Sequence, residues 1–135
     1  MRHPLHPALV HFPIACWSLA TLTDFGSLWL GESAWKWSAG LLAVGCIVAL
    51  LAMAAGVLEL SRVPDGPALR DVYWHMGLML GAFALYTTRL MLRLDHLQPL
   101  APNTVALLLD LAGFIALAIG GWLGGRLVYG HGIGR

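Results

Sequence analysis

Four apolar stretches, at about 8 to 30, 35 to 60, 69 to 93 and 104 to 128, are each long enough to cross a hydrocarbon core of roughly 30 Å as a helix. The chain has 135 residues, of which 59% are hydrophobic and 11% charged, and its mean hydropathy is +0.74. Little is left over for a soluble domain, and that composition lies well outside the range of ordinary soluble proteins. Short connections force neighbouring helices to run antiparallel. The expected fold is therefore all-α, an integral membrane four-helix up-down-up-down bundle forming one domain over residues 1–135, with lipid as its surroundings.

One arginine precedes the first apolar run, and no small-residue cleavage site follows a short hydrophobic core, so the first helix reads as retained rather than removed. The net charge of +1 comes without a basic patch or arm, which sets nucleic acid aside as a partner.

The connections carry their own signals. Pro7 suits a first helical turn, and Pro13 in the second turn cannot donate to Leu9, which predicts a bend there. Trp29, Trp35 and Trp37 around "GESAWK" read as anchors at a membrane-water boundary. "SRVPDGPAL" supplies a Pro-Asp-Gly turn with Pro67 opening the third helix, and Asn103 is placed to cap the fourth. Cys16 and Cys46 fall in separate spans at depths expected to differ by about 10 Å, so no disulfide is expected.

In this topology both termini share one membrane face with Arg2, Arg62, Arg70, Arg126 and Arg135, against Lys36, Arg89 and Arg93 on the other. The bias of basic residues places the termini in the cytoplasm. His3, His6, His11, His75 and His131 collect on the terminal face, and only His96 lies opposite. Arg2, His3 and His96 read as solvated surface. His11 and His75 sit about one turn inside their helix starts, and His6 and His131 just outside the spans. Glu59 is near the same level and could orient a ring by accepting its second N–H.

At 100° per residue, His75, Ala82, Tyr86, Arg89 and Arg93 form one strip on the third helix. Ser38, Gly45, Ala49, Ala52, Gly56 and Glu59 form another on the second. Asp110, Gly113, Gly121, Gly124, Val128 and His131 form a third on the last. Such small strips allow close helix approach in lipid, or leave room for a flat macrocycle. Asp24 and Arg89, each costing about 2.5–3.5 kcal/mol if central in the membrane, reach similar depth and predict an intramembrane ion pair, and Asp110, in the same half of the membrane, can join Arg89 or Arg93. The angular position of Asp24, about 140° from His11, is in tension with both facing inward.

Neutral imidazole is the commonest metal ligand, and a b-type haem takes two rings from opposite sides of one iron. His11 and His75 at matched depth are the expected pair, with His6 and His131 ligating a second centre or lining its edge. The expected activity is a membrane electron-transfer subunit binding one or two b-type haems. The alternatives are a copper- or zinc-binding module at the same histidines, and a non-catalytic accessory subunit of a larger membrane complex. No nucleophile-base pair, phosphate-cradling loop or catalytic carboxylate pair is visible, so hydrolytic chemistry is not expected.

"HPALVHFPIACWSLATLTDF" at the front and "GGRLVYGHGIG" at the back resemble the uncharacterised bacterial membrane proteins catalogued as domain of unknown function 2231, and the middle, with "GVLEL" and His75, is similar too. The resemblance implies a four-helix inner-membrane protein. Because relatives are sometimes fused to Rieske iron-sulfur or cytochrome c domains, it also implies electron transfer. His6, His11, Asp24, His75 and His131 match the family's polar positions, and Glu59 stands where relatives often have aspartate. With Arg135 ending the chain, the redox partner is expected to be a separate protein, with quinone use open.

Overall fold

The computed structural model describes residues 5–134. Of the positions named above, Arg2, His3 and Arg135 lie outside the described residues. The helices are α1 (Leu5–Leu9), α2 (His11–Leu30), α3 (Glu32–Leu60), α4 (Pro67–Leu92) and α5 (Thr104–His131), with two-residue strands β1 (Leu94–Asp95) and β2 (Gln98–Pro99) between α4 and α5. Three segments are long and apolar enough to cross a membrane: Leu5–Leu30, Glu32–Leu60 and Thr104–His131. α4, with Arg70, Asp71, His75 and Arg89 along its length, is not among them.

The first helix begins earlier than its apolar run, at Leu5, and is interrupted at Val10. Pro13 is the cause, because it has no N–H to offer the Leu9 carbonyl. The bonds from Val10 N–H to His6 O (3.1 Å) and from Ile14 N–H to Val10 O (3.2 Å) carry the helix direction across the break. The connection expected over "GESAWK" contracts to Gly31 alone. Gly31 has φ +75°, a left-handed value that glycine adopts without penalty, and its N–H closes on Ser27 O at 2.9 Å. Glu32 then opens α3 and pairs with Lys36 one turn on.

Pro67 sits in the first turn of α4, and the Asn103 side chain accepts the Ala106 N–H at 2.9 Å to cap α5. The segment after α4, expected to be a plain loop, is a miniature hairpin turning at His96 and Leu97 with φ of 46° and 65°. Arg93 stabilises it by donating from Nε to the Ala101 carbonyl at 2.8 Å.

Side-chain pairs fix how the helices lie. Across α2 and α3, Trp17 packs on Gly45, and across α1 and α3, His6 packs on Gly56. Across α4 and α5, Tyr86 packs on Gly113 and His75 on Gly124. Each hairpin is therefore antiparallel, and α2 meets α5 while α3 meets α4. The core between them is Trp17, Ala20, Leu42, Cys46, Ala49, Ala82, Tyr86 and Leu117. Small residues let the large rings in. A Cβ on Gly45 would come within 2.8 Å of the Trp17 ring, and one on Gly113 within 2.9 Å of Tyr86. On α5 the close approach uses Gly120 and Gly124, whereas Gly121, expected on the inner strip, and Gly125 face open space.

The cysteine depths differ from expectation. Cys16 Cβ lies 3.1 Å from where a Gly45 Cβ would be, so Cys16 is level with Cys46 to within about one residue's rise of 1.5 Å. The error comes from the helix ends: α1 starts at Leu5 and the turn is one residue long. Both thiols are free.

Candidate functional site

Two polar clusters occupy the interior. The first gathers where α1, α3, α4 and α5 meet. His6 Nδ1–H donates to the Ala52 carbonyl at 2.7 Å, and His75 Nδ1–H donates to the Gly120 carbonyl at 2.8 Å. Because a carbonyl can only accept, each ring carries a proton on Nδ1, and in the neutral form of such a ring the lone pair lies on Nε2. The two ring centres are 6.1 Å apart with planes at 87°. Both rings are half-buried. Gly56 and Gly124 make this seating possible, since a Cβ would lie 3.0 Å from His6 Nδ1 and 3.1 Å from His75 Cε1 respectively. The space left by those two glycines is thus filled by imidazole.

His11 is not the ring that meets His75. It is exposed and has no hydrogen-bond partner among the described residues. Helix geometry explains the exchange. His6 is about five full turns from the buried Asp24, on the same face, while His11 is rotated about 140° from both. The angular tension noted in the sequence is resolved with His11 outward and Asp24 inward.

Glu59 also acts differently from expectation. Its Oε1 accepts the backbone N–H groups of Leu5 (2.9 Å) and His6 (3.3 Å), so it caps α1 and anchors the His6 backbone rather than orienting an imidazole. His131 Nε2 is engaged by Asp71 Oδ2 at 3.0 Å, and Arg126 Nε reaches the same oxygen at 3.0 Å. Asp71 is buried, and sequence reasoning missed it. The available signal was its place one turn before His75 on the same helix face.

The second cluster is Arg89 between two aspartates. Its guanidinium contacts the Asp24 carboxylate, and Nε lies 3.5 Å from Asp110 Oδ2. The exposures are 1% for Arg89 and 0% for each aspartate. The expected Asp24–Arg89 pair is present, and Asp110 joins Arg89 rather than Arg93. One turn nearer the histidines, Tyr86 and Thr21 share a hydrogen bond of 2.8 Å, and Trp17 stacks on Tyr86 with centroids 5.0 Å apart. Thr21 and Trp17 were also invisible as site residues, because alone in an apolar helix each reads as ordinary core.

The chemistry on offer is distinct at each cluster. The histidine end presents two imidazoles oriented by backbone carbonyls, the arrangement that fixes the tautomer of metal-bound histidine. Among the described residues, no group of three or more His, Cys, Asp or Glu side chains is placed to hold a metal ion. No curated protein and no solved structure matches the chain. The model of one family, described as a predicted membrane protein, matches residues 2–135, and the chain belongs to that family, DUF2231.

Proposed function

We propose that this chain is a membrane electron-transfer subunit that binds a b-type haem through His6 and His75. The observation that carries the reading is the pair of imidazoles, each with Nδ1–H committed to a carbonyl and Nε2 left as a donor, with ring centres 6.1 Å apart. At metal–nitrogen bonds of about 2.0 Å, two rings this close together could both reach one metal between them. A haem iron needs only two protein ligands, whereas a protein site for zinc usually takes three or four. The donor count therefore favours haem over zinc. When bound, the haem supplies a one-electron couple.

The chain's own residues do the positioning. Ala52 and Gly120 fix the two tautomers, Glu59 secures the His6 backbone, and Gly56 and Gly124 admit the rings. His131, held by Asp71, borders the site and is not a ligand in this reading. In the same reading α4 is a fourth span and the helices form an up-down-up-down bundle in the bacterial inner membrane. Both termini face the cytoplasm, and electrons pass to a separate redox protein or to quinone.

The detergent-extracted protein, made in haem-replete cells, should be red, with a Soret band that shifts on reduction. His6→Ala and His75→Ala should each lose the bound haem, while His11→Ala keeps it. A colourless wild-type protein, or full colour in His75→Ala, overturns the reading. A blank visible spectrum with stoichiometric copper on metal analysis would replace haem by a metal ion at the same rings.

A further inference from the structure

Arg89 brings one positive charge to the interior, and Asp24 and Asp110 bring two carboxylates, all three sealed from solvent. With both carboxylates ionised the group would hold a net negative charge. An uncompensated charge is what a buried or lipid-embedded site tolerates least.

The surroundings do not supply the balancing cation. On α4 the nearest titratable neighbour is Tyr86, bonded to Thr21, and Arg93 is turned to the Ala101 carbonyl. On α3 the antiparallel register set by Trp17 on Gly45 puts Ser38 level with Asp24, while Lys36 is exposed and paired with Glu32. α2 and α5 add no other ionisable side chain within a turn of Asp24 or Asp110.

A second observation is independent of charge. The carboxylate oxygens of Asp24 and Asp110, Nε and Nη2 of Arg89, and the Ser38 hydroxyl, which is 0% exposed, all lack an aligned hydrogen bond among the described residues. Buried polar atoms in native interiors are ordinarily satisfied. A carboxylic acid differs from a carboxylate in offering one O–H donor, and an O–H donated to a carboxylate is among the strong hydrogen bonds. One added proton therefore brings the group to neutrality and gives one aspartate an O–H to offer the other, where the Arg89 N–H groups are not aligned to do so.

We infer that Asp24 and Asp110 hold one proton between them against Arg89, which makes this triad an intramembrane proton-binding site. The proton comes from water and sits on one aspartate oxygen, donated to the other carboxylate. The site stands apart from the histidine pair and does not depend on what that pair binds.

Infrared spectroscopy of the full chain in lipid nanodiscs at neutral pH tests this. The wild type should show a protonated-carboxyl C=O band, about one group per chain, that shifts in D2O and on labelling with carboxyl-carbon-13 aspartate. Asp24→Asn and Asp110→Asn should each abolish it, because the remaining carboxylate alone balances Arg89. If either variant fails to fold, the labelled wild-type spectrum decides. Absence of a protonated aspartate band in the folded wild type, persistence of the band unchanged in both variants, or its loss when sodium replaces choline in the buffer would each overturn the assignment.

Discussion

At Arg89 the chain buries full charges and closes them against one another; at His6 and His75, on the order of 20 Å away along the helices, it uses two rings and ties each to a backbone carbonyl. The first arrangement sets charge against charge in a sealed interior, and the second leaves a donor nitrogen on each ring. Removing a partner should accordingly have opposite consequences. At the triad it strands a charge in a sealed interior. At the ring pair it frees a carbonyl that already lies within a helix, and removes one of the two rings proposed to hold haem.

The largest effect that tests this contrast is Arg89→Ala. It leaves the Asp24–Asp110 pair without its cation and should destabilise the folded chain by about 3–5 kcal/mol, seen as a large drop in the thermal unfolding midpoint in detergent or as failure to accumulate in membranes. His75→Ala, which loses one hydrogen bond, should cost about 1 kcal/mol while abolishing haem uptake. Equal destabilisation by the two substitutions would erase the distinction between the clusters.

A second test probes the packing that holds both. Gly113→Ala places a Cβ 2.9 Å from Tyr86 Cε2, at the contact between α4 and α5. Overpacking of this kind costs about 1–3 kcal/mol. Gly121→Ala meets nothing within 4 Å, and alanine there should be neutral or stabilising by up to about 1 kcal/mol from helix propensity. The pair should separate cleanly in unfolding midpoint. A penalty at Gly121 would mean that another chain or a tight lipid contact covers that face.

How much of this was legible depended on what the physics makes conspicuous. Charges in an apolar helix are expensive, so Asp24, Arg89 and Asp110 announced themselves, and their shared depth followed from counting residues. The histidine partner did not, because depth alone favoured His11. Angle measured from Asp24 favours His6, and the break before Pro13 hid the fact that α1 and α2 share a face. All four long helices were legible in the sequence, but apolar length marks only three of them as spans, and α4 is not among those. The turn at Gly31 was not, because one residue with positive φ replaces a whole loop. The hairpin at His96 and Leu97 was equally hidden, since left-handed turns are normally signalled by Asn or Gly. Asp71 went unread because it follows Arg70 near a helix start, where charged residues pass as solvated.

The last contrast concerns the level between the two clusters. Thr21 Oγ1 donates to the Trp17 carbonyl at 3.0 Å, so in the 2.8 Å contact with Tyr86 it is the tyrosine O–H that donates. These hydrogen bonds run from Tyr86 through Thr21 and end on a backbone carbonyl, which has no proton to pass on. The two clusters are therefore joined by packing, with Trp17 stacked on Tyr86, rather than by a proton wire. Tyr86→Phe keeps the ring and the stack and removes one donor. It should cost about 1 kcal/mol of stability and leave haem uptake at His6 and His75 unchanged. Altered haem binding in a folded Tyr86→Phe protein would show that the clusters communicate through this hydroxyl, and would make the sealed triad part of the redox site.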